Sequence, residues 1–170
     1  MSVRFVIDPL DFVRKAETHH GRIPLAEFER LQDFLHKNHG EILYQISGIL
    51  DQNGKPHLRV KMEGEMQLCC QRCLGSLLHS VDIDTSLLLA RTENELALAD
   101  ADDSVDAILA TAELDVLDLI EEEIILSLSI SSRHSEGECE AHQQVRYDLA
   151  EFPNPKNPFA VLKTLKKIQH

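Results

Sequence analysis

The segment from residue 58 to residue 70 constrains the fold more than any other part of this chain. Apolar and polar side chains alternate strictly along it, and this period of two is typical of a strand with one buried face. The apolar set is Leu58, Val60, Met62, Met66, Leu68 and Cys70. A second alternating run over 81–89 follows a turn at Gly75. The two runs are therefore predicted to pair as an antiparallel hairpin.

Two cysteines at the tip of this hairpin have the spacing of a metal-binding knuckle. Two residues separate Cys70 from Cys73, and His134 and Cys139 follow much later in the chain. Three cysteine sulfurs and one imidazole are the ligand set of a closed tetrahedral zinc site. These four side chains are therefore the predicted ligands of one structural zinc ion.

Two other side chains compete with this ligand set. Strand alternation places Cys69 on the polar face, so it is predicted to be a spare thiol. His142 lies three residues beyond Cys139 and is a competing ligand. A reduced thiol pair at the hairpin tip, with no metal, is the alternative interpretation of the knuckle.

The first part of the chain is predicted to contain both helices and strands. A short strand is expected over 3–7, and Asp8-Pro9 opens a brief helix. Alternation over 42–46 predicts a further strand, with a hairpin turn at Asn53-Gly54. Pro24 is predicted to open a second helix whose apolar stripe comprises Leu25, Phe28, Leu31 and Leu35.

The second part is predicted to continue this mixture. An acidic surface loop is expected over 92–104, a strand over 105–112 and a helix over 114–128 with apolar residues at helical spacing. Asn157-Pro158 is predicted to begin a short C-terminal helix.

These elements together predict an α+β fold, an antiparallel β-sheet or partial barrel flanked by N-terminal helices, an acidic helix and a short C-terminal helix. Residues 1–150 are predicted to form a single domain, and 151–170 a linker with the basic helix.

Charge is distributed unevenly along this chain of net charge −12. Residues 92–126 contain twelve acids and no Lys or Arg, whereas 152–170 contain four lysines and no acid. An acidic protein is repelled by phosphates, which argues against broad sequence-independent binding of nucleic acid. The acidic face suits a basic partner such as a ribosomal protein, or it serves only solubility. The candidate partner-binding residues are Glu121, Glu122 and Glu123 for such a partner and Lys163, Lys166 and Lys167 for RNA phosphates.

Several functional classes lack their signatures. No run of about 18 apolar residues and no signal peptide is visible, so a cytoplasmic protein with reduced thiols is expected. The chain has neither a Gly-rich phosphate loop nor a nucleophile elbow. Four protein ligands would also leave a zinc ion no open position for catalysis. The sequence therefore predicts a protein that is not an enzyme.

Four motifs in order resemble one family. Cys70-Gln71-Arg72-Cys73, the stretch 121–128, His134 with Cys139, and the stretch 157–162 are similar to the bacterial large ribosomal RNA subunit accumulation protein family. The resemblance covers nearly the whole chain and is weakest over 1–55 and 92–112. One local departure is Leu128-Ser129, where the family tends to have Leu-Pro.

The resemblance implies a cytosolic, non-catalytic factor for synthesis, processing or stability of 23S rRNA and for biogenesis of the large ribosomal subunit. The genes of this family commonly lie next to the gene for a small protein of the large ribosomal subunit. The family's cysteine pair maps onto Cys70 and Cys73, and its later ligands onto His134 and Cys139, although many members lack some of these cysteines. The implied partners are a 23S rRNA precursor or a basic ribosomal protein. The alternative is a zinc-stabilised adaptor that binds such a protein without touching RNA.

Overall fold

Strands predominate in the computed structural model, which describes residues 5–139. The strands are β1 (Val6–Ile7), β2 (Thr18–Pro24), β3 (Leu35–Lys37), β4 (Glu41–Leu50), β5 (Pro56–Cys69), β6 (Ser76–Ala90), β7 (Ala107–Leu109) and β8 (Leu114–Asp115). The helices are α1 (Pro9–Arg14), α2 (Glu93–Ala99) and α3 (Val116–Ser127). The predicted α+β class is confirmed.

The main sheet has six strands in the order β2-β4-β5-β6-β7, and β3 pairs with β5 beside this path. Its pairings are antiparallel except that β7 runs parallel to β6. The long β5–β6 hairpin is antiparallel, as predicted, and its register places Leu58 opposite Leu87 and Cys69 opposite Ser76. This register brings the knuckle to the closed end of the hairpin. Strands β1 and β8 form a separate antiparallel pair.

One face of the sheet carries the hydrophobic core. Every apolar side chain of the alternating run from Leu58 to Cys70 is buried, as strand alternation predicts. Helices α1 and α3 contribute Phe12, Val13, Ile120 and Ile124 to the same core. Gly48 of β4 allows α1 to approach closely, because a Cβ there would lie 2.6 Å from the Cα of Val13 and 2.7 Å from the Phe12 carbonyl oxygen.

The predicted helix from Pro24 is wrong. The chain there forms two short 3₁₀ turns, Leu25–Glu27 and Leu31–Asp33, with Phe28 extended between them. Gln32 explains the difference, since its side-chain amide donates to the carbonyls of Leu25 and Phe28 at 2.7 and 2.8 Å. A helix would require those carbonyls for its own backbone bonds. The predicted stripe is still apolar and largely inward, with Leu25, Phe28 and Leu31 buried.

The predicted loop over 92–104 is also wrong in part, because α2 occupies Glu93–Ala99. Thr92 caps this helix by accepting a hydrogen bond from the Glu95 amide, and Glu93 and Glu95 suit the positive end of the helix dipole. No residue of α2 is buried. Local capping therefore specifies a helix that hydrophobic periodicity did not predict.

Two other predictions are confirmed with adjusted bounds. The strand expected over 105–112 is β7, and the helix expected over 114–128 is α3. None of the helices in the described part of the chain has the length and apolar character that crossing a bilayer requires. The predicted C-terminal linker and helix, and His142, lie outside the described residues.

Candidate metal centre

The knuckle begins where β5 ends. The backbone amide of Cys70 donates to the Gly75 carbonyl at 2.9 Å, and the amide of Leu74 donates back to the Cys70 carbonyl at 2.8 Å. These two bonds close a tight turn that returns the chain into β6. Cys73 lies within this turn, so its sulfur and that of Cys70 face a common point.

The second half of the cluster comes from the loop after α3. This helix ends at Ser127, and the following chain is joined to the knuckle by a bond from the Gln71 amide to the Ser132 carbonyl at 2.9 Å. His134 and Cys139 lie just beyond this junction. The four predicted ligands, Cys70, Cys73, His134 and Cys139, offer atoms that all lie within 4.8 Å of one another.

Three of the six ligand–ligand distances in this cluster are close to the edges of a zinc tetrahedron. Zn–S bonds of about 2.3 Å and Zn–N bonds of about 2.0 Å place sulfurs about 3.8 Å apart, and sulfur and nitrogen about 3.5 Å apart. The sulfurs of Cys70 and Cys139 are 3.8 Å apart. His134 Nδ1 lies 3.4 Å from the sulfur of Cys73 and 3.7 Å from that of Cys139. The four side chains could therefore hold one metal ion with little rearrangement.

A hydrogen bond on the far side of the imidazole orients this ring. His134 Nε2 lies 2.9 Å from the Ser76 carbonyl oxygen at the start of β6. A carbonyl accepts only, so Nε2 carries a proton, and Nδ1 is the ring nitrogen that faces the sulfurs. Such outer contacts fix the tautomer and orientation of metal-binding histidines.

Arg72, between the two knuckle cysteines, joins the halves of the cluster. Its Nε donates to the sulfur of Cys139 at 2.9 Å, and its Nη2 donates to the carbonyls of His134 and Ser135 at 3.2 and 3.0 Å. Three thiolates around Zn²⁺ would leave one net negative charge, and the guanidinium offsets it. No role for Arg72 is predicted from the sequence, although a cation between two cysteines is a signal for this one.

The local electrostatics favour a thiolate in the cluster. Burial raises the pKa of the Cys70 thiol, but backbone hydrogen bonds with Cys73, His134 and Arg72 outweigh it and lower the pKa to about 5. The pKa of His134 is raised by its hydrogen bond with Cys139 and by the Ser76 carbonyl. A metal ion would take the place of the imidazole proton, since ligands bind metal in their deprotonated forms.

Cys69 lies outside the ligand cluster. It is partly exposed, and its sulfur is 3.7 Å from the Leu74 carbonyl oxygen. Strand phase predicts this difference between the adjacent cysteines, because Cys70 is buried on the core face.

The acidic triplet of α3 is not a uniform exposed surface. Glu122 is exposed and Glu123 partly buried, and burial followed by repulsion from Asp106 and Glu122 raises the pKa of Glu123. Glu121 is only 3% exposed, so its prediction as a partner-binding residue is corrected to a structural role. Its carboxylate accepts from Arg30 Nε at 3.1 Å and from the Leu31 amide at 2.9 Å. Lys163, Lys166 and Lys167 lie outside the described residues.

The fold and the cluster define a small α+β protein in which the tip of a long hairpin meets the loop after α3 at a Cys₃His group that could hold a metal ion. A sequence model of the family described as large ribosomal RNA subunit accumulation protein YceD matches residues 58–166. This match spans more than half of the chain, and the chain belongs to that family. A protein of the same description from Haemophilus influenzae (strain ATCC 51907 / DSM 11121 / KW20 / Rd) is 25% identical over an alignment of 170 positions. The alignment covers 95% of this chain and 94% of that protein. No solved structure gives a significant match.

Proposed function

We propose that this chain is a non-catalytic cytoplasmic factor that supports the synthesis, processing or stability of 23S rRNA and thereby the biogenesis of the large ribosomal subunit. Family membership supports the link to ribosomal RNA accumulation. The observation that carries the non-catalytic part is the closed cluster, since four protein ligands occupy every position of a tetrahedral zinc ion.

In this proposal the metal is a structural zinc ion that fastens the hairpin tip to the loop after α3. Within residues 5–139, the hydrogen bonds that join these segments near the cluster include the Gln71–Ser132 backbone bond, the Arg72 contacts and the bond of His134 to Ser76, besides the close approach of the candidate ligands to one another. A zinc ion would add four ligand bonds between them. Since structural zinc sites contribute directly to folding free energy, the ion would fix the surface formed by both segments.

The second candidate is an adaptor that binds a basic ribosomal protein without contacting RNA. The net charge of −12 and the twelve acids over 92–126 favour it, because long-range attraction would speed association with a basic protein. Lys163, Lys166 and Lys167 are the side chains proposed to contact RNA if the first candidate is correct.

A deletion strain tests the proposed function. We expect a lower ratio of 23S to 16S rRNA and fewer large subunits than in the parent strain, with full recovery on expression of the wild-type chain. Cys70→Ser is expected to restore less than the matched Cys69→Ser variant, because only Cys70 belongs to the cluster. A normal ribosome profile in the deletion strain would overturn the proposal. If the chain with alanine in place of Lys163, Lys166 and Lys167 restores 23S rRNA in the deletion strain, the adaptor is favoured.

A further inference from the structure

A small groove lies beside the knuckle. Its volume is about 140 Å³, and its lining includes Phe34, Leu74, Asp33, Cys69, Gln71 and Ser132. We call it the knuckle groove. Phe34 is 38% exposed and Leu74 is 71% exposed. Two large apolar side chains at the walls of one open groove are typical of a contact surface.

The backbone of Leu74 makes its exposure informative. Its φ is +60°, in the left-handed region that glycine adopts readily and leucine rarely does. An unfavourable backbone at a buried leucine could be offset by burial of the side chain, but this side chain is mostly in solvent. The small buried fraction of this side chain offsets little of the backbone cost. Strained residues of this kind cluster where a surface has another use.

The charge of the groove indicates which molecule would occupy it. Asp33 is the charged residue among those that line it, and its carboxylate makes no ion pair within residues 5–139. An RNA phosphate would meet this carboxylate with no lining cation to bind it. A protein segment with an aliphatic side chain next to Lys or Arg would satisfy both the apolar walls and the carboxylate.

We propose that the knuckle groove docks a segment of a basic protein, with an aliphatic side chain between Phe34 and Leu74 and a cationic side chain at Asp33. The proposal rests on the proposed function, because it identifies the basic partner with a large-subunit ribosomal protein. The groove shares Gln71 and Ser132 with the junction between the two halves of the metal cluster. The knuckle would therefore shape the docking surface.

Site-specific photo-crosslinking tests the identity of the occupant. The full chain carries p-benzoylphenylalanine in place of Phe34, or in place of Leu98 as the matched control. Leu98 is 75% exposed and lines a different cavity beside α2. Each variant is irradiated with proteins extracted from large ribosomal subunits, with deproteinised 23S rRNA, or alone. We expect an adduct with a basic ribosomal protein at position 34 and none with it at position 98. A predominant RNA adduct, a predominant dimer of the chain, equal adducts at both positions or no adduct would overturn the proposal.

The ribosomal protein identified by crosslinking is then purified and titrated with the full chain. This titration tests the groove residues. Leu74→Gly and Asp33→Lys are each expected to weaken binding about tenfold or more, and Leu98→Ala to leave it unchanged. Leu74→Gly is expected to keep or raise the melting temperature, because glycine relieves the left-handed backbone; lost binding is then not lost folding. Unchanged affinity in both groove variants would overturn the proposal.

The same variants separate this proposal from the proposed function. Groove-dependent binding in a chain whose deletion leaves 23S rRNA normal would contradict the function and support the docking site. If the deletion strain lacks 23S rRNA and the Asp33→Lys and Leu74→Gly variants each restore it fully, the function is supported and the docking site is overturned.

Discussion

Replacement of Glu121 tests the structural role that the fold assigns to an acidic residue of α3. Glu121→Ala removes the acceptor of the buried Leu31 amide, which costs about 1–3 kcal/mol when such a donor is left unpaired. It also removes the ion pair with Arg30, whose side chain is 51% exposed, so solvent limits this contribution to at most about 1 kcal/mol. The expected loss in free energy of unfolding is therefore about 1–4 kcal/mol.

Urea unfolding of the full chain measures this loss. Glu121→Gln keeps an acceptor for Leu31 and is expected to lose less than Glu121→Ala. Glu122→Ala changes an exposed carboxylate on the same helix and is the matched control, expected within about 0.5 kcal/mol of wild type. If Glu121→Ala unfolds with the free energy of Glu122→Ala, the reasoning about the buried carboxylate is refuted.

Three further predictions concern acid stability, thiol reactivity and packing. Arg59 donates twice to Asp84 and lowers the pKa of this carboxyl to about 2, so the ion pair stabilises the fold fully above the ordinary carboxyl pKa and less as the pH falls towards 2. Asp84→Asn should therefore lower the melting temperature at pH 5, and the variant and wild type should converge near pH 2. Equal melting temperatures at pH 5 would contradict this. Zinc-loaded protein should gain one maleimide adduct, at Cys69, and four adducts after chelation in denaturant, as counted by intact mass. Four adducts before chelation would contradict a closed site. Gly48→Ala should lower the free energy of unfolding in urea by about 1–3 kcal/mol or more, because the added Cβ meets the α1 backbone at Val13; a loss within error of zero would show that α1 can move aside.

The parts of the fold that the sequence predicts best are those where local pattern and tertiary environment agree. Alternation from residue 58 to residue 70 specified the central strand, its buried face and the choice of Cys70 over Cys69. The pairing of the knuckle with His134 and Cys139 needed only the chemistry of a zinc ligand set. These residues carry their signal in spacing and phase, which are properties of the sequence alone.

The parts that the sequence did not predict depend on contacts between distant segments. Gln32 holds 3₁₀ turns by taking carbonyls that a helix would use, and nothing in its own segment indicates this. Glu121 was assigned to the surface because carboxylates usually lie there. Its position on a stripe with Leu117 and Ile124, at helical spacing, was the signal that it faces inward, where Arg30 and Leu31 satisfy it.

The metal content of the purified full chain shows whether the Cys₃His cluster holds a structural zinc ion. Elemental analysis should find one zinc ion per chain in the wild type and in Cys69→Ser, and a large loss in Cys70→Ser, because strand phase places only Cys70 among the ligands. Wild-type protein that takes up no zinc when refolded with it, or Cys70→Ser protein that binds zinc as tightly as wild type, would contradict the account.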